Sequence, residues 1–260
     1  MICQLQRIII NFMLIAAILM ALTGVPAIPA EEVPMPFQPG EKLTFDVTWG
    51  GIPVGKAVLE VYPQATINGK VAHHFVLTAK TIGFVDVFFK VRNRIDAYTD
   101  PDMNHSVFFK NELTGKHSKS VTIDFDWDNA RIQRWDSTED WEALDALPGS
   151  FDPLSVFYFT RTRDLKEKAD YERPVTDGKK NVIGRLKIVR RETIEVGGKD
   201  YDTYLMEPET RHIGGVFKDS KNPKIQLWIT ADKRRILVKA RSEVVVGSFV
   251  GELISSEGAI

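Results

Sequence analysis

The stretch FDPLSVFYFTRTRDL, residues 151–165, decides the fold, because it is the one convincing helix in a chain that otherwise alternates like strand. Asp152 can cap a helix, and Pro153 suits its first position, where a missing N–H costs nothing. Leu154, Phe157, Tyr158 and Leu165 fall on one side at helical spacing, which leaves Arg161, Arg163 and Asp164 for water. The helix is expected over residues 152–165. A lone amphipathic helix has to bury its stripe, and only sheet is available to cover it.

The flanking sequence supplies that sheet. KLTFDVTW, residues 42–49, puts Leu43, Phe45, Val47 and Trp49 on one face and Thr44, Asp46 and Thr48 on the other, the period of a half-buried strand. Asn68-Gly69 is a two-residue hairpin signal, and Asp128-Asn129, Asp177-Gly178, Gly197-Gly198 and Asp232-Lys233 mark further turns. Residues 84–89, FVDVFF, are ambiguous between strand and one helical turn. Residues 139–147 read as a short helix capped by Thr138 and ended by Pro148-Gly149. Residues 208–223 read as a long surface loop. The expected architecture is mainly β: a curved antiparallel sheet, an open or half β-barrel, with one central amphipathic helix packed on it. It occupies residues 41–256 as a single domain, after an extended Pro-rich lead-in at residues 31–40.

The N-terminus carries Arg7, an apolar run over residues 8–22 broken by Asn11, and a small-residue segment ending at Ala30. That is the order of a secretory signal, residues 1–30, with cleavage after Ala27 or Ala30, and it predicts a periplasmic protein. An uncleaved membrane anchor is the alternative, although the interrupted run falls short of the ~20 residues a spanning helix needs. Cys3, the only cysteine, precedes the apolar run. The mature chain is therefore expected to lack thiols and disulfides and to rely on its core for stability. Net charge is −1, or −2 once Arg7 is removed, with signs interspersed, so nothing suggests nucleic acid as a partner.

Motifs for chemistry are absent or fail. Asp124, Asp126 and Asp128 share one strand face, but Asn129 and Trp135 stand where a calcium loop needs Gly and Glu, so no metal is assigned. His73 and His74 alternate to opposite faces and cannot share an ion, and His105, His117 and His212 form no helical pair. There is no nucleophile elbow, phosphate loop or dinucleotide fingerprint, so no catalytic residue and no cofactor are assigned. The aromatics are more informative. Fifteen phenylalanines and five tryptophans exceed what one helical stripe needs. Trp49, Phe88, Phe89, Phe157, Tyr158 and Trp228 are candidates for lining an apolar groove between sheet and helix. An ordinary packed core is the competing reading.

Three stretches together resemble one family: GEKLTFDVTWGGIPVGKAVLEV near the start, DPLSVFYFTRTRDL in the middle and LWITADKRRILVKARSEVVVGSFVGEL near the end. Their order and spacing are similar to family 3108 of exported bacterial domains of unknown function, over residues 40–253. The resemblance implies export and one β-rich domain, and it brings no catalytic residues. At fold level alone, such a layout is also similar to periplasmic lipoprotein carriers, whose half-barrel holds acyl chains. The expectation is a non-enzymatic periplasmic protein that binds an apolar or amphipathic, lipid-like ligand or a lipoprotein in the cell envelope. A structural module docking on an envelope protein and an envelope hydrolase with an unrecognised site are the alternatives.

Overall fold

In the computed structural model, residues 34–115, 118–209, 224–244 and 247–259 are described. Alternation of apolar and polar side chains becomes alternation of burial in the first half of β1 (Lys42–Trp49), where Leu43 and Phe45 are buried and Lys42, Thr44 and Asp46 part-exposed, but Val47 is only part-buried and Trp49 is exposed at the strand's end. The chain then folds back through β2 (Ile52–Ile67), β3 (Lys70–Thr81), β4 (Val91–Thr99), β5 (Ser106–Gly115), β6 (Lys119–Asp126), β7 (Arg131–Asp136) and the two-residue β8 (Leu144–Asp145). A second meander runs through β9 (Asp170–Thr176), β10 (Asn181–Val196), β11 (Lys199–Pro208), β12 (Lys224–Thr230), β13 (Leu237–Val244) and β14 (Gly247–Glu257). All pair antiparallel in one sheet, β8-β7-β6-β5-β4-β3-β2-β1-β14-β13-β12-β11-β10-β9. Neighbours in the sheet are neighbours in sequence, with one exception. β1 pairs with β14, from Lys42 opposite Glu257 to Trp49 opposite Phe249, and so joins the two arms at the middle of the sheet.

The sheet is strongly curved. Helix α1 (Gly83–Phe88) links β3 to β4, and helix α2 (Pro153–Arg161) lies between the arms. The latter touches β3 and β4 of the first arm and β9 at the edge of the second. In a flat sheet β4 and β9 would stand roughly 40 Å apart at about 4.8 Å per strand, so one helix can reach both only if the arms bend around it. Strand pairing does not close the ring. Instead the segment before α2 bridges the gap: Ser106 N–H donates to Ser150 O at 3.0 Å, Phe151 N–H to Pro174 O at 3.0 Å and Thr176 N–H to Phe151 O at 2.9 Å. The β9–β10 turn completes the seam, with Arg134 Nη1 donating to Asp177 O at 2.5 Å and Asn181 Nδ2 to Asp145 O at 2.7 Å.

The central helix begins as expected and ends early. Asp152 Oδ1 accepts from the N–H groups of Leu154 and Ser155, both at 2.9 Å, and its Oδ2 accepts from Ser106 Oγ at 2.6 Å. At the other end Thr162 turns its hydroxyl back onto Phe159 O at 2.7 Å and the helix stops at Arg161, four residues short of the expected end. Leu165 is still buried, but beyond the helix. The expectation that Arg161 faces water is wrong. Its side chain is fully buried, with Nη1 on Glu41 Oε1 at 2.6 Å and Nη2 on Glu41 Oε2 at 2.8 Å. It also donates to Pro36 O and Arg234 O, both at 2.9 Å. The partners lie in the segment before β1 and ahead of β13, where Phe37 also enters the core.

Two smaller expectations resolve differently. The ambiguous 84–89 stretch is helical, as α1. The helix expected at 139–147 does not form; its backbone is taken up by β7, with Gln133 Nε2 donating to Trp141 O, Arg131 Nη2 to Ala143 O and Ala146 N–H to Ala130 O. A helix that short has little stability of its own to compete with those bonds. Residues 1–30 and nearly all of 208–223 lie outside the described residues. Among the described residues no helix is long and apolar enough to cross a membrane.

Candidate functional site

Aromatic packing fills the centre of the space between helix and sheet, and a space of about 530 Å³ lined by Ile95, Phe109, Val121, Ile123 and Leu154 remains between the start of α2 and β4–β6. Tyr158 stacks on Phe75 at 3.8 Å, with Phe37 edge-on to both at 5.5 and 5.2 Å. Burial pushes the Tyr158 hydroxyl pKa well above its ordinary value. Further along α2 one side is also unfilled. There a groove of about 430 Å³ runs between the helix and β9, the start of β10, the end of β11 and the start of β12. Val156 and Phe157 form its helical wall, and Val175, Leu186, Met206 and Leu227 are among the side chains of its sheet wall. Alternation produces that wall: Tyr171, Arg173 and Val175 recur at every second position of β9 and all line the groove.

The charged residues of the groove differ in how they are matched. Arg185 pairs with Glu172 at 2.8 Å, and Asp177 Oδ1 caps the β9–β10 turn by accepting from Lys179 N–H at 3.0 Å. Arg163 and Arg173 lie over the Phe159 ring, at 4.5 and 4.4 Å from its centroid. Arg163 spends its Nε and Nη2 on the hydroxyl of its neighbour Thr162. Burial, and then the positive charges of Arg173 and Arg235, pull the Arg163 pKa below its ordinary value.

Of the six aromatic candidates, the structure brings only Phe157 to this groove. Tyr158, its neighbour, turns into the core. Trp228 points to the opposite face of β12 from Leu227, is buried, and donates its Nε1–H to Glu192 Oε1 at 2.9 Å. Trp49 lies at the end of β1, stacked on Phe249 at 6.2 Å. Phe88 and Phe89 are exposed on the α1 turn, beside Phe84 and Val87. The groove's aliphatic wall and its three arginines, Arg163, Arg173 and Arg185, are not among the sequence candidates. For Arg173 and Val175 the available signal is the period-two face of β9.

The other sequence candidates have local roles. Asp124 accepts from Asn68 Nδ2 at 3.0 Å, Asp126 from the Asn129 side chain and N–H at 2.7 and 3.0 Å, and Asp128 lies 3.5 Å from Lys70. His74 Nε2 meets Asp96 Oδ1 at 2.8 Å, while His73, on the other face, meets Pro101 O at 3.0 Å. His105 packs on Trp127 at 4.5 Å, and His117 and His212 lie outside the described residues.

Fold and groove together define an open, β-barrel-like protein with a central helix and an apolar recess beside it. Residues 44–254 match the model of DUF3108, a family of proteins of unknown function, and the chain belongs to that family. Among solved structures it is similar to a β-barrel-like protein of the domain of unknown function DUF1849 from Brucella abortus, with a TM-score of 0.53 and 10% identity over 85% of this chain and 98% of that one. Looser similarity extends to an exported protein with a YmcC-like fold from Bacteroides fragilis, with a TM-score of 0.37 and 11% identity over 85% and 97% of the two chains. A lipoprotein from Parabacteroides distasonis overlaps with a TM-score of 0.32 and 9% identity over 85% and 98%. No curated protein matches the chain.

Proposed function

We propose that this is an exported, non-enzymatic protein of the cell envelope that holds an apolar or amphipathic ligand in the groove between α2 and β9–β12. The observation that carries the reading is the groove itself. Its walls are largely aliphatic and aromatic, with charged side chains among them, and it is open to solvent. Its volume lies within the roughly 300–1,000 Å³ of small-molecule sites. The N-terminal order of basic residue, apolar run and small residues supports export.

Native mass spectrometry of the mature protein, purified from a periplasm without detergent, tests the reading. The expected result is a co-purifying lipid-like molecule that is lost from a folded Phe157→Asp variant. Unchanged uptake by that variant would remove the groove from consideration. A second reading, docking on an envelope protein, is favoured by the α1 turn, where Phe84, Val87 and Phe88 are 62%, 79% and 68% exposed. It predicts an envelope crosslink that Phe84→Ser and Phe88→Ser abolish.

A further inference from the structure

We infer that the groove's occupant is a single-chain fatty-acid anion, its carboxylate held by Arg163 and Arg173 and its acyl chain laid along the wall of Val175, Leu186, Met206 and Leu227. The inference rests on the ligand-binding reading above and names the chemistry of that ligand.

The arginines distinguish this place from the rest of the molecule. Arg92, Arg94, Arg131, Arg134, Arg161, Arg185, Arg190, Arg191, Arg234 and Arg241 each form an ion pair with an Asp or Glu. Among the described residues the arginines without a carboxylate are Arg163, Arg173 and Arg235, and these are neighbours. Arg235 directs its Nη1 to the carbonyls of Arg161 and Arg163, which leaves two guanidinium groups facing the groove. Like charges gathered in this way repel one another, and the pKa of Arg163 is depressed by burial first and then by the charges of Arg173 and Arg235. An anion bound beside these guanidinium groups offsets that charge.

The geometry suits a carboxylate. Both planar guanidinium groups lie against the Phe159 ring, and Arg163 Nη1 takes no part in the bonds that Nε and Nη2 make to Thr162, so each arginine can offer an N–H to a carboxylate oxygen. The volume suits one chain. A methylene occupies about the same space as a water molecule, roughly 30 Å³, so 430 Å³ accepts on the order of fourteen methylenes. Two chains of that length would not fit.

Binding of palmitate and of hexadecanol, measured by calorimetry on the mature protein and on Arg163→Gln, Arg173→Gln and the double variant, tests this. Both substitutions are at part-exposed positions, and thermal melts confirm that the variants fold. The expected result is that palmitate binds wild type about tenfold to a hundredfold more tightly than hexadecanol, the worth of a charge-assisted hydrogen bond. In the double variant palmitate affinity should fall to that of hexadecanol while hexadecanol affinity is unchanged. Equal affinities in wild type, or a palmitate preference that survives the double substitution, would overturn the headgroup assignment and leave the groove intact. Binding of neither molecule to wild type would overturn the ligand-binding reading itself.

Discussion

Separating Arg161 from Glu41 should be the most damaging conservative change in the protein. Arg161 is fully exchanged from water into protein, and its guanidinium is flanked by the rings of Tyr158 and Phe37 at 5.3 and 5.6 Å. Glu41 is equally buried, and Arg161 is the partner of both its carboxylate oxygens. Removing one member of such a pair leaves an uncompensated buried charge, which costs about 3–5 kcal/mol. For a domain of this size each kcal/mol lowers the melting temperature by about 2–4 °C, so Arg161→Met or Glu41→Gln should melt about 6–20 °C earlier. Replacing both partners with apolar residues, Glu41→Leu with Arg161→Met, removes both desolvation costs together and should recover most of that loss. Urea titrations at neutral pH, extrapolated to water, measure the three variants against wild type. The reasoning is refuted if either single substitution costs less than about 1 kcal/mol, the range of an exposed ion pair, or if the double variant is no more stable than the worse single one.

Asp152→Ala removes the acceptor for two helix N–H groups and for Ser106 in a fully buried setting, so its cost should reach the top of the capping range, about 2 kcal/mol, in the same titration. Gly178→Ala should destabilise by about 1–3 kcal/mol, because the residue has φ +78° and a Cβ there would meet Arg134 Cβ at 3.0 Å and Ile123 Cγ1 at 3.2 Å. The change also pushes apart the seam between the arms, and faster amide exchange in β7 and β9 would report it. Burial alone would raise the Asp136 carboxyl, but hydrogen bonds from Lys119, Arg134 and Thr138 outweigh it and hold the group well below the usual carboxylate range. Its contribution is therefore complete above about pH 5, begins to fall through the unfolded value near pH 4 and is lost as the pH falls towards the folded value. Asp136→Asn should be less stable than wild type at neutral pH and should lose less on acidification; parallel slopes below pH 4 would count against the assignment.

The sheet was legible because its signals are local. Alternation in residues 42–49 and the Asn68-Gly69 turn each specify structure within a few positions, and all but one of the sheet's pairings join neighbouring strands. The start of α2 was legible for the same reason, since Asp152 and Pro153 announce it. The burial of Arg161 was not. Its partner lies 120 residues away, and a helical projection can only assign an arginine to the wet side. The site failed on a related point. Candidates were chosen by ring size, yet Trp228 and Leu227 are adjacent and it is Leu227 that faces the groove. Whether a strand face is covered by a helix or left open depends on where that helix docks, and no local pattern carries that information.

How the helix docks also explains why an open groove can persist beside a packed core. An unfilled apolar recess normally invites collapse, because side chains move in to recover lost contacts. Here α2 is fixed at both ends by polar groups that cannot slide. At its start Asp152 is bonded to Ser106 of β5 as well as to its own helix, and the preceding Phe151 is paired with β9. At its end Arg161 ties it to the segment before β1 and to Arg234 ahead of β13. Closing the groove would require the helix to tilt towards β9–β12, and that would break one of these anchors. The buried pair, an expensive way to obtain stability alone, is better understood as fixing position. It holds the helix wall of Val156 and Phe157 at a set distance from the sheet, so the recess keeps its shape without an occupant.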